Sequence, residues 1–366
     1  MRKIVLCLFL LILFFGFIDN VWASVDSAYS YVLMDLDSGR VYDAKNKDKP
    51  MLIASITKIM TCILAIENKD IENVVKVTDV INDSYGSGIY ISVGEEIKLK
   101  DLLYGLMLRS GNDAAKMIAS YVSGSEDEFV KLMNKKAKEI GMKNTIFYNA
   151  SGLDNNISGN LSTAYDMALI TQYAMKNEIY REIVRTKKYV SKSNMKTYVW
   201  HNKNKLLQYD YITGGKTGYT EKAKRTLVST ASKNNINLVV VTIKDTDDWN
   251  THVSLYQKIF DNYKSYRVLN KNNFNVLGDS YYDSLYIKND VNVTLKEDEM
   301  QNLISHIRLE KLKDYDDGDK VGENLIYLGD VLVHKEDIYA KKKENVKKSF
   351  FSRLKELFKG IVALDD

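Results

Sequence analysis

The 366-residue chain holds a single proline, two cysteines and four histidines, and only nine of its 52 basic residues are arginine. Two cysteines cannot build a disulfide framework, and with so few histidines they argue against a zinc-ligand cluster. Charge is nearly balanced, 52 Lys+Arg against 48 Asp+Glu for a net +4. No arginine-rich stripe marks a nucleic-acid partner. No Gly-x-Ser-x-Gly elbow occurs, so the usual serine–histidine hydrolase signature is missing. What is present is a 45% apolar, 11% aromatic composition. That excludes a disordered chain, and the length admits two domains.

The first residues predict export. Arg2 and Lys3 precede an apolar run from Ile4 to Ile18, and Val21-Trp22-Ala23 ends the segment on a small residue. This is the pattern of a secretory signal peptide spanning residues 1–23; the run is shorter than the about 20 residues that cross a bilayer. Cleavage removes Cys7 and leaves Cys62 alone, so the exported product can form no internal disulfide.

Along the rest of the chain, Tyr31–Tyr42 reads as a hairpin about an Asp37-Ser38-Gly39 turn. After Pro50, apolar residues at Ile53, Ile56, Ile59, Met60, Ile63 and Leu64 mark a buried helical stripe. Further helices are expected near residues 102–108, 112–122, 129–140 and 165–173. Two strong strands, 226–231 and 238–243, flank an Asn234-Asn235 turn. Helices bracketed by antiparallel strands predict an α+β layer rather than alternating βαβ units. From about residue 266 to 340, Val291, Val293, Leu325 and Tyr327 sit in short alternating stretches, which reads as a smaller β-rich domain. In residues 341–366 the bulky Phe350, Phe351, Leu354, Leu357, Phe358 and Ile361 share one helical face and lysines occupy the rest. That arrangement predicts an amphipathic helix lying in a membrane interface.

Without a histidine elbow, a serine nucleophile needs another base, and lysine is the candidate. Ser-x-x-Lys occurs at Ser55, Ser193 and Ser352, about what chance allows in so lysine-rich a chain. Context separates them: Ser55 alone opens a strongly apolar helix. There Lys58 lies one turn on, where its amine can reach the Ser55 hydroxyl. Unpaired N–H groups at a helix start favour negative charge near the serine. An amine among apolar neighbours can lose its proton and act as a base. Ser-x-Asn also occurs three times, at Ser110, Ser158 and Ser232. Only Ser110-Gly111-Asn112 lies between two helical segments. Lys-Thr-Gly occurs once, at Lys216-Thr217-Gly218, ahead of the strand 226–231.

In this order, the three motifs are the set shared by penicillin-binding proteins and class A β-lactamases. The wider words are Met51-Leu-Ile-Ala-Ser-Ile-Thr-Lys-Ile-Met-Thr61, Leu106-Met-Leu-Arg-Ser-Gly-Asn-Asp-Ala-Ala115, Gly141-Met-Lys-Asn-Thr145 and Lys216-Thr-Gly-Tyr-Thr220. They resemble one branch, the serine D-alanyl-D-alanine carboxypeptidases, or low-molecular-mass penicillin-binding proteins, over residues 25–340 or so. The resemblance implies a penicillin-binding-protein/β-lactamase-like transpeptidase fold, an antiparallel sheet packed with helices, in residues 24–265. It also implies a small C-terminal β-rich domain and a terminal amphipathic anchor.

Carried onto this sequence, the resemblance implies Ser55 as nucleophile, Lys58 as its base and Ser110 as a proton relay. Asn112 would hold the substrate amide and the Lys58 environment. Lys216 and Thr217 would meet the terminal carboxylate, Gly218 would allow close approach, and the N–H groups of Ser55 and Tyr219 would form an oxyanion hole. Neither cofactor nor metal is implied. The partners implied are peptidoglycan stems ending in D-Ala-D-Ala, β-lactams as covalent inhibitors, and a membrane surface. Two departures stand near the strand. Thr213-Gly-Gly precedes Lys216 where relatives more often have Asp-Gly, and Tyr219 follows the triplet where some have histidine. A β-lactamase would need a carboxylate to activate deacylating water, for which Asp154 and Asp166 are available; a non-catalytic muropeptide-binding protein would not need Lys58.

Overall fold

The computed structural model describes residues 27–154 and 159–342. The signal peptide, Ser158, Ser352 and the terminal amphipathic segment from residue 343 on lie outside them. Two compact units emerge: one runs to Ser265 and adds Thr294–Asp298, the other combines Tyr266–Val293 with residues from Glu299 on.

The first unit is built on a five-stranded antiparallel sheet. Its strands are β1 (Ala28–Asp35), β2 (Val41–Lys45), β3 (Ile212–Thr220), β4 (Lys224–Lys233) and β5 (Ile236–Asp245), in spatial order β2-β1-β5-β4-β3. The β4–β5 hairpin turns on Asn234 and Asn235, both at positive φ (53° and 60°), with Lys233 paired to Ile236. This two-residue turn matches the right-handed strand twist, and asparagine tolerates its left-handed positions.

Strand alternation divides the core. Val32, Met34, Val228, Val239, Val241 and Ile243 face the main helical layer, whereas Tyr31, Leu33, Leu227, Leu238 and Val240 face the opposite side. The helical layer holds α1 (Lys58–Asn68), α2 (Leu99–Tyr104), α3 (Asn112–Ser123), α4 (Glu126–Ile140), α5 (Ala164–Ala174) and α6 (Glu178–Arg185). The opposite face is covered by α7 (Asp248–Asn262) through Leu255, Tyr256 and Ile259. The buried stripe of α7 also carries Asp248, Thr251, His252 and Ser254, which hides its period from a hydrophobicity reading. His252 is fully enclosed: Nδ1 pairs with Ser229 Oγ at 2.6 Å and Nε2 with Thr242 Oγ1 at 3.1 Å. Burial drives its pKa down to about 3, so this histidine is a neutral strut between α7 and the sheet.

The second unit contains a four-stranded antiparallel sheet of β6 (Ser284–Tyr286), β7 (Leu303–Leu309), β8 (Lys320–Leu328) and β9 (Val331–Lys341), ordered β6-β9-β8-β7. Val321, Leu325, Ile326, Val333, Ile338 and Ala340 are its buried apolar residues. The α+β class and the C-terminal β-rich region thus agree with the sequence reading.

One local detail differs. Ser55 does not open an α-helix: it lies in a 3-10 turn, Ala54–Thr57, and α1 begins at Lys58. The cause is the entry at Ala54, whose φ of 47° is outside the helical region. The turn is braced from three sides. Thr226 Oγ1 donates to Ile53 O at 3.1 Å, Ile53 N donates to Asn160 O at 3.2 Å, and Asn160 Nδ2 donates to Thr57 Oγ1 at 3.0 Å. Gly152, at φ 82°, presses on the same turn so closely that a Cβ there would lie 1.9 Å from the Ala54 carbonyl oxygen. Gly152→Ala therefore carries both backbone strain and a backbone clash. It is expected to cost about 2 kcal/mol or more of stability, read as a lowered urea midpoint; an unchanged midpoint would mean that the 149–153 loop can move off the turn freely.

Candidate active site

The 3-10 turn, the start of α3, the 149–153 loop and the edge strand β3 converge on the Lys58 amine. Lys58 Nζ lies 3.1 Å from Ser55 Oγ, 2.7 Å from Asn112 Oδ1 and 2.5 Å from the Ser151 carbonyl oxygen, and the residue is wholly buried. Burial holds the amine well below the ordinary lysine range; the positive charges of Lys216 and Lys203 push it the same way, and Asp113 opposes them. A neutral amine has two N–H donors and one lone pair. In that state the two carbonyl oxygens would take the donors and the lone pair would face the partly exposed Ser55 hydroxyl. This is the arrangement of a base poised on an alcohol nucleophile.

Each partner is itself fixed. Asn112 Nδ2 donates to Tyr85 O at 2.6 Å and its backbone N to Ser87 O at 2.8 Å, which ties α3 to the exposed 82–90 loop. Asp113 reinforces that tie by accepting the backbone N–H groups of Ile89 and Tyr90 at 3.0 and 2.6 Å. Ser110 ends a π-helical turn, Gly105–Arg109, in the left-handed region at φ 65°. Such turns break the regular helical ladder and re-aim the residue that follows.

Ser55, Ser87, Ser110, Lys203, Thr217, Gly218, Tyr219 and Arg225 border a cleft of about 310 Å³. Gly218 sits hard against the nucleophile's turn: a Cβ at this position would come within 2.9 Å of the Ser55 backbone nitrogen and 2.4 Å of Thr226 Oγ1. Only glycine lets β3 lie this close to the serine N–H.

Of the residues singled out in sequence, Ser55, Ser110, Thr217, Gly218 and Tyr219 line the cleft, and Lys58 and Asn112 stand directly behind it. Lys216 is placed differently from a direct carboxylate ligand. It is 1% exposed, its Nζ donates to the Thr217 carbonyl at 2.6 Å, and it is not among the cleft-lining residues. Strand alternation is the reason: Lys216 registers with Val228, on the helical face of the sheet. Burial and the nearby Lys203 charge bring its pKa down to about 7.

Asp154 and Asp166 do not border the cleft. Asp154 accepts Thr220 Oγ1 at 2.5 Å, and Asp166 accepts Asn144 N and Thr145 Oγ1, both at 2.8 Å. Sequence reasoning missed Lys203, whose Nζ lies 3.1 Å from Ser87 Oγ. It also missed the Ser151 carbonyl, Arg225, Asp248 and Trp249. No local motif distinguishes Lys203 from 42 other lysines.

With this geometry in hand, known proteins place the chain. A family model described as D-alanyl-D-alanine carboxypeptidase matches residues 21–247. The chain belongs to that family. D-alanyl-D-alanine carboxypeptidase DacF of Bacillus subtilis is 40% identical over 222 residues, which is 58% of this chain and 56% of that protein. DacA of Escherichia coli is 33% identical over 229 residues, 58% of this chain and 55% of the relative. The chain thus spans about half the length of these curated relatives. Among solved structures, penicillin binding protein 5 from Haemophilus influenzae superposes with a TM-score of 0.70 at 25% identity, covering 87% of this chain and 97% of that one. A D-alanyl-D-alanine carboxypeptidase from Mycobacterium tuberculosis gives 0.61 at 29% identity, over 64% and 91%. The fold is therefore the penicillin-binding-protein type.

The buried amines have a consequence for stability. Lys216 binds its proton less readily folded than unfolded, where lysine titrates near about 10.4. Between about pH 7 and that value the unfolded chain holds the extra proton, so stability rises with pH across this window. The slope from one such group is at most about 1.4 kcal/mol per pH unit. Urea unfolding between pH 7 and 9.5 should show Lys216→Met with a shallower rise than wild type. Equal slopes would mean that Lys216 keeps its proton when folded.

Proposed function

We propose that the protein is a serine D-Ala-D-Ala carboxypeptidase that removes the terminal D-alanine from peptidoglycan pentapeptide stems. The observation that carries this reading is the enclosed Lys58 amine, within hydrogen-bond reach of Asn112 Oδ1, the Ser151 carbonyl and the Ser55 hydroxyl. Ser55 Oγ attacks the carbonyl carbon of the penultimate D-alanine while Lys58 accepts the hydroxyl proton. The tetrahedral oxyanion is received by the N–H groups of Ser55 and Tyr219, a kind of donor worth about 3 kcal/mol of barrier when lost. As the intermediate collapses, the C–N bond breaks. The proton passes by way of Ser110 to the departing amine, and D-alanine leaves. Water then hydrolyses the Ser55 ester, with Lys58 again taking the proton.

The substrate runs along β3. Thr217 meets its terminal carboxylate and Gly218 permits close approach, while Asn112 acts from behind the cleft by holding the Lys58 amine rather than the substrate amide. A β-lactam, being a cyclic acyl donor that carries a carboxylate, acylates Ser55 in the same way. Trimming the stem destroys the D-Ala-D-Ala donor of cross-linking, so the activity limits cross-links in the wall.

The site of action follows the ends of the chain. Residues 1–23 serve as the signal peptide and residues 24–265 as the carboxypeptidase domain. Residues 266–340 form the β-rich domain, and residues 341–366 attach the enzyme to the outer face of the cytoplasmic membrane. Among the described residues no helix is long and apolar enough to cross a membrane.

Two experiments test the reading. After incubation of residues 24–340 with benzylpenicillin, intact mass should rise by one drug molecule in wild type and not in Ser55→Ala; the variant should also lose D-alanine release from a D-Ala-D-Ala peptide. Persistent release by Ser55→Ala would sink the assignment, and fast drug hydrolysis without an adduct would indicate a β-lactamase. Separately, removing residues 341–366 should leave activity in the soluble fraction. Unchanged recovery with membranes would refute the anchor.

A further inference from the structure

A cation that pairs with a substrate carboxylate must reach the cleft, and neither buried lysine does. Lys58 and Lys216 are at most 1% exposed, and both amines are held by protein carbonyls. Arg225 does reach it. It stands at the start of β4, directly across from Tyr219, while Leu227 stands across from Thr217. Residues two apart on a strand share a face, so Thr217, Tyr219 and Arg225 all lie on the α7 side of the sheet, with Thr217 and Arg225 as diagonal neighbours. Gly218, between them in the lining, adds no side chain.

The guanidinium is held in place from behind. One end is ion-paired through Nη2 to Asp248 Oδ1, on the nearly buried first residue of α7, and Arg225 Cζ lies 5.5 Å from the centroid of the Trp249 ring. Its Nε is buried and, among the described residues, has no hydrogen-bond partner. A guanidinium presents five donors in a planar fork suited to carboxylates, and the Asp248 contact leaves several unused. Lys203, the other cleft-lining cation, has its amine against Ser87 Oγ. Its charge acts on Lys58 and Lys216.

We propose that Arg225, steadied by Asp248 and Trp249, is the contact cation for the substrate's terminal carboxylate and acts with the Thr217 hydroxyl to set the preference for a free C-terminus. The assignment rests on the carboxypeptidase reading above and names residues that its motifs do not include.

The test compares two N-acylated tripeptides, one ending in D-Ala-D-Ala with a free carboxylate and one with that carboxylate converted to a carboxamide. For each enzyme the ratio of the two kcat/KM values is measured. Because both peptides meet the same preparation, a smaller folded fraction cancels from the ratio. The free-acid preference should fall about ten- to a hundredfold in Arg225→Gln, the range for loss of a charged hydrogen bond. Arg225→Lys, which keeps the charge and loses the fork, should fall between that variant and wild type. A preference that survives Arg225→Gln overturns the proposal, and its collapse in Lys203→Gln instead would assign the contact to Lys203. If wild type cleaves neither peptide and takes no benzylpenicillin adduct, the carboxypeptidase reading itself fails, an outcome distinct from an active enzyme with an unaltered preference.

Discussion

An amine sealed from water among apolar side chains is the constraint around which the first unit is arranged. A charged ammonium at Lys58 would lose its hydration, and the two carbonyl oxygens beside it could not fully replace that shell. A neutral amine has no such deficit: two N–H groups would meet Asn112 Oδ1 and Ser151 O, and the lone pair would meet Ser55. The π-helical turn before α3, the pressed Gly152 turn and the asparagine-pinned 82–90 loop each fix one of those partners. A displacement of any one reopens the pocket to water, and water would restore the proton.

The sheet supplies the second half of the site by parity. Along β3, Lys216 faces the helical layer and Thr217 the α7 layer, while Gly218 leaves the edge bare against Ser55. A one-residue slip of β3 against β4 would exchange Lys216 for Thr217 at the cleft. Register is held by the two cores on either face, Val228 on one and Leu227 on the other. Packing far from the cleft thus decides which side chains enter it.

What was legible in the sequence follows the range of the interactions involved. Ser55 and Lys58 are one turn apart, Ser110 and Asn112 two residues apart, and Lys216 to Tyr219 contiguous, so short local words carried the family resemblance that pointed to them. The helical stripe of α1 and the two strong strands β4 and β5 about the Asn234-Asn235 turn made the α+β class visible. Partners brought together by the fold left no local trace. Lys203 is a single lysine in a lysine-rich chain, and the Ser151 contact is made by a backbone carbonyl 93 residues from Lys58. Arg225 and Asp248 are 23 residues apart and belong to different layers. The start of α1 was misread because the apolar period runs through the 3-10 turn, whereas the positive φ of Ala54 is imposed by tertiary contacts that sequence periodicity does not report.

The charges of the site divide into two kinds, and the division has chemical sense. Lys58, Lys216 and Lys203 are lysines whose protons are loosened first by burial, and then by Lys216 and Lys203 at Lys58, by Lys203 at Lys216, and by Arg109 at Lys203. An arginine cannot serve as such a base, since its guanidinium keeps its proton at any working pH. Permanence suits an anion-binding wall, because a ligand cation that lost its charge on desolvation would release its anion. On the proposed reading, an arginine at the wall would hold a carboxylate without removing a proton from the interior. The negative charge brought to the cleft would partly offset the repulsion among the lysines, and that would raise the proton affinity of Lys58.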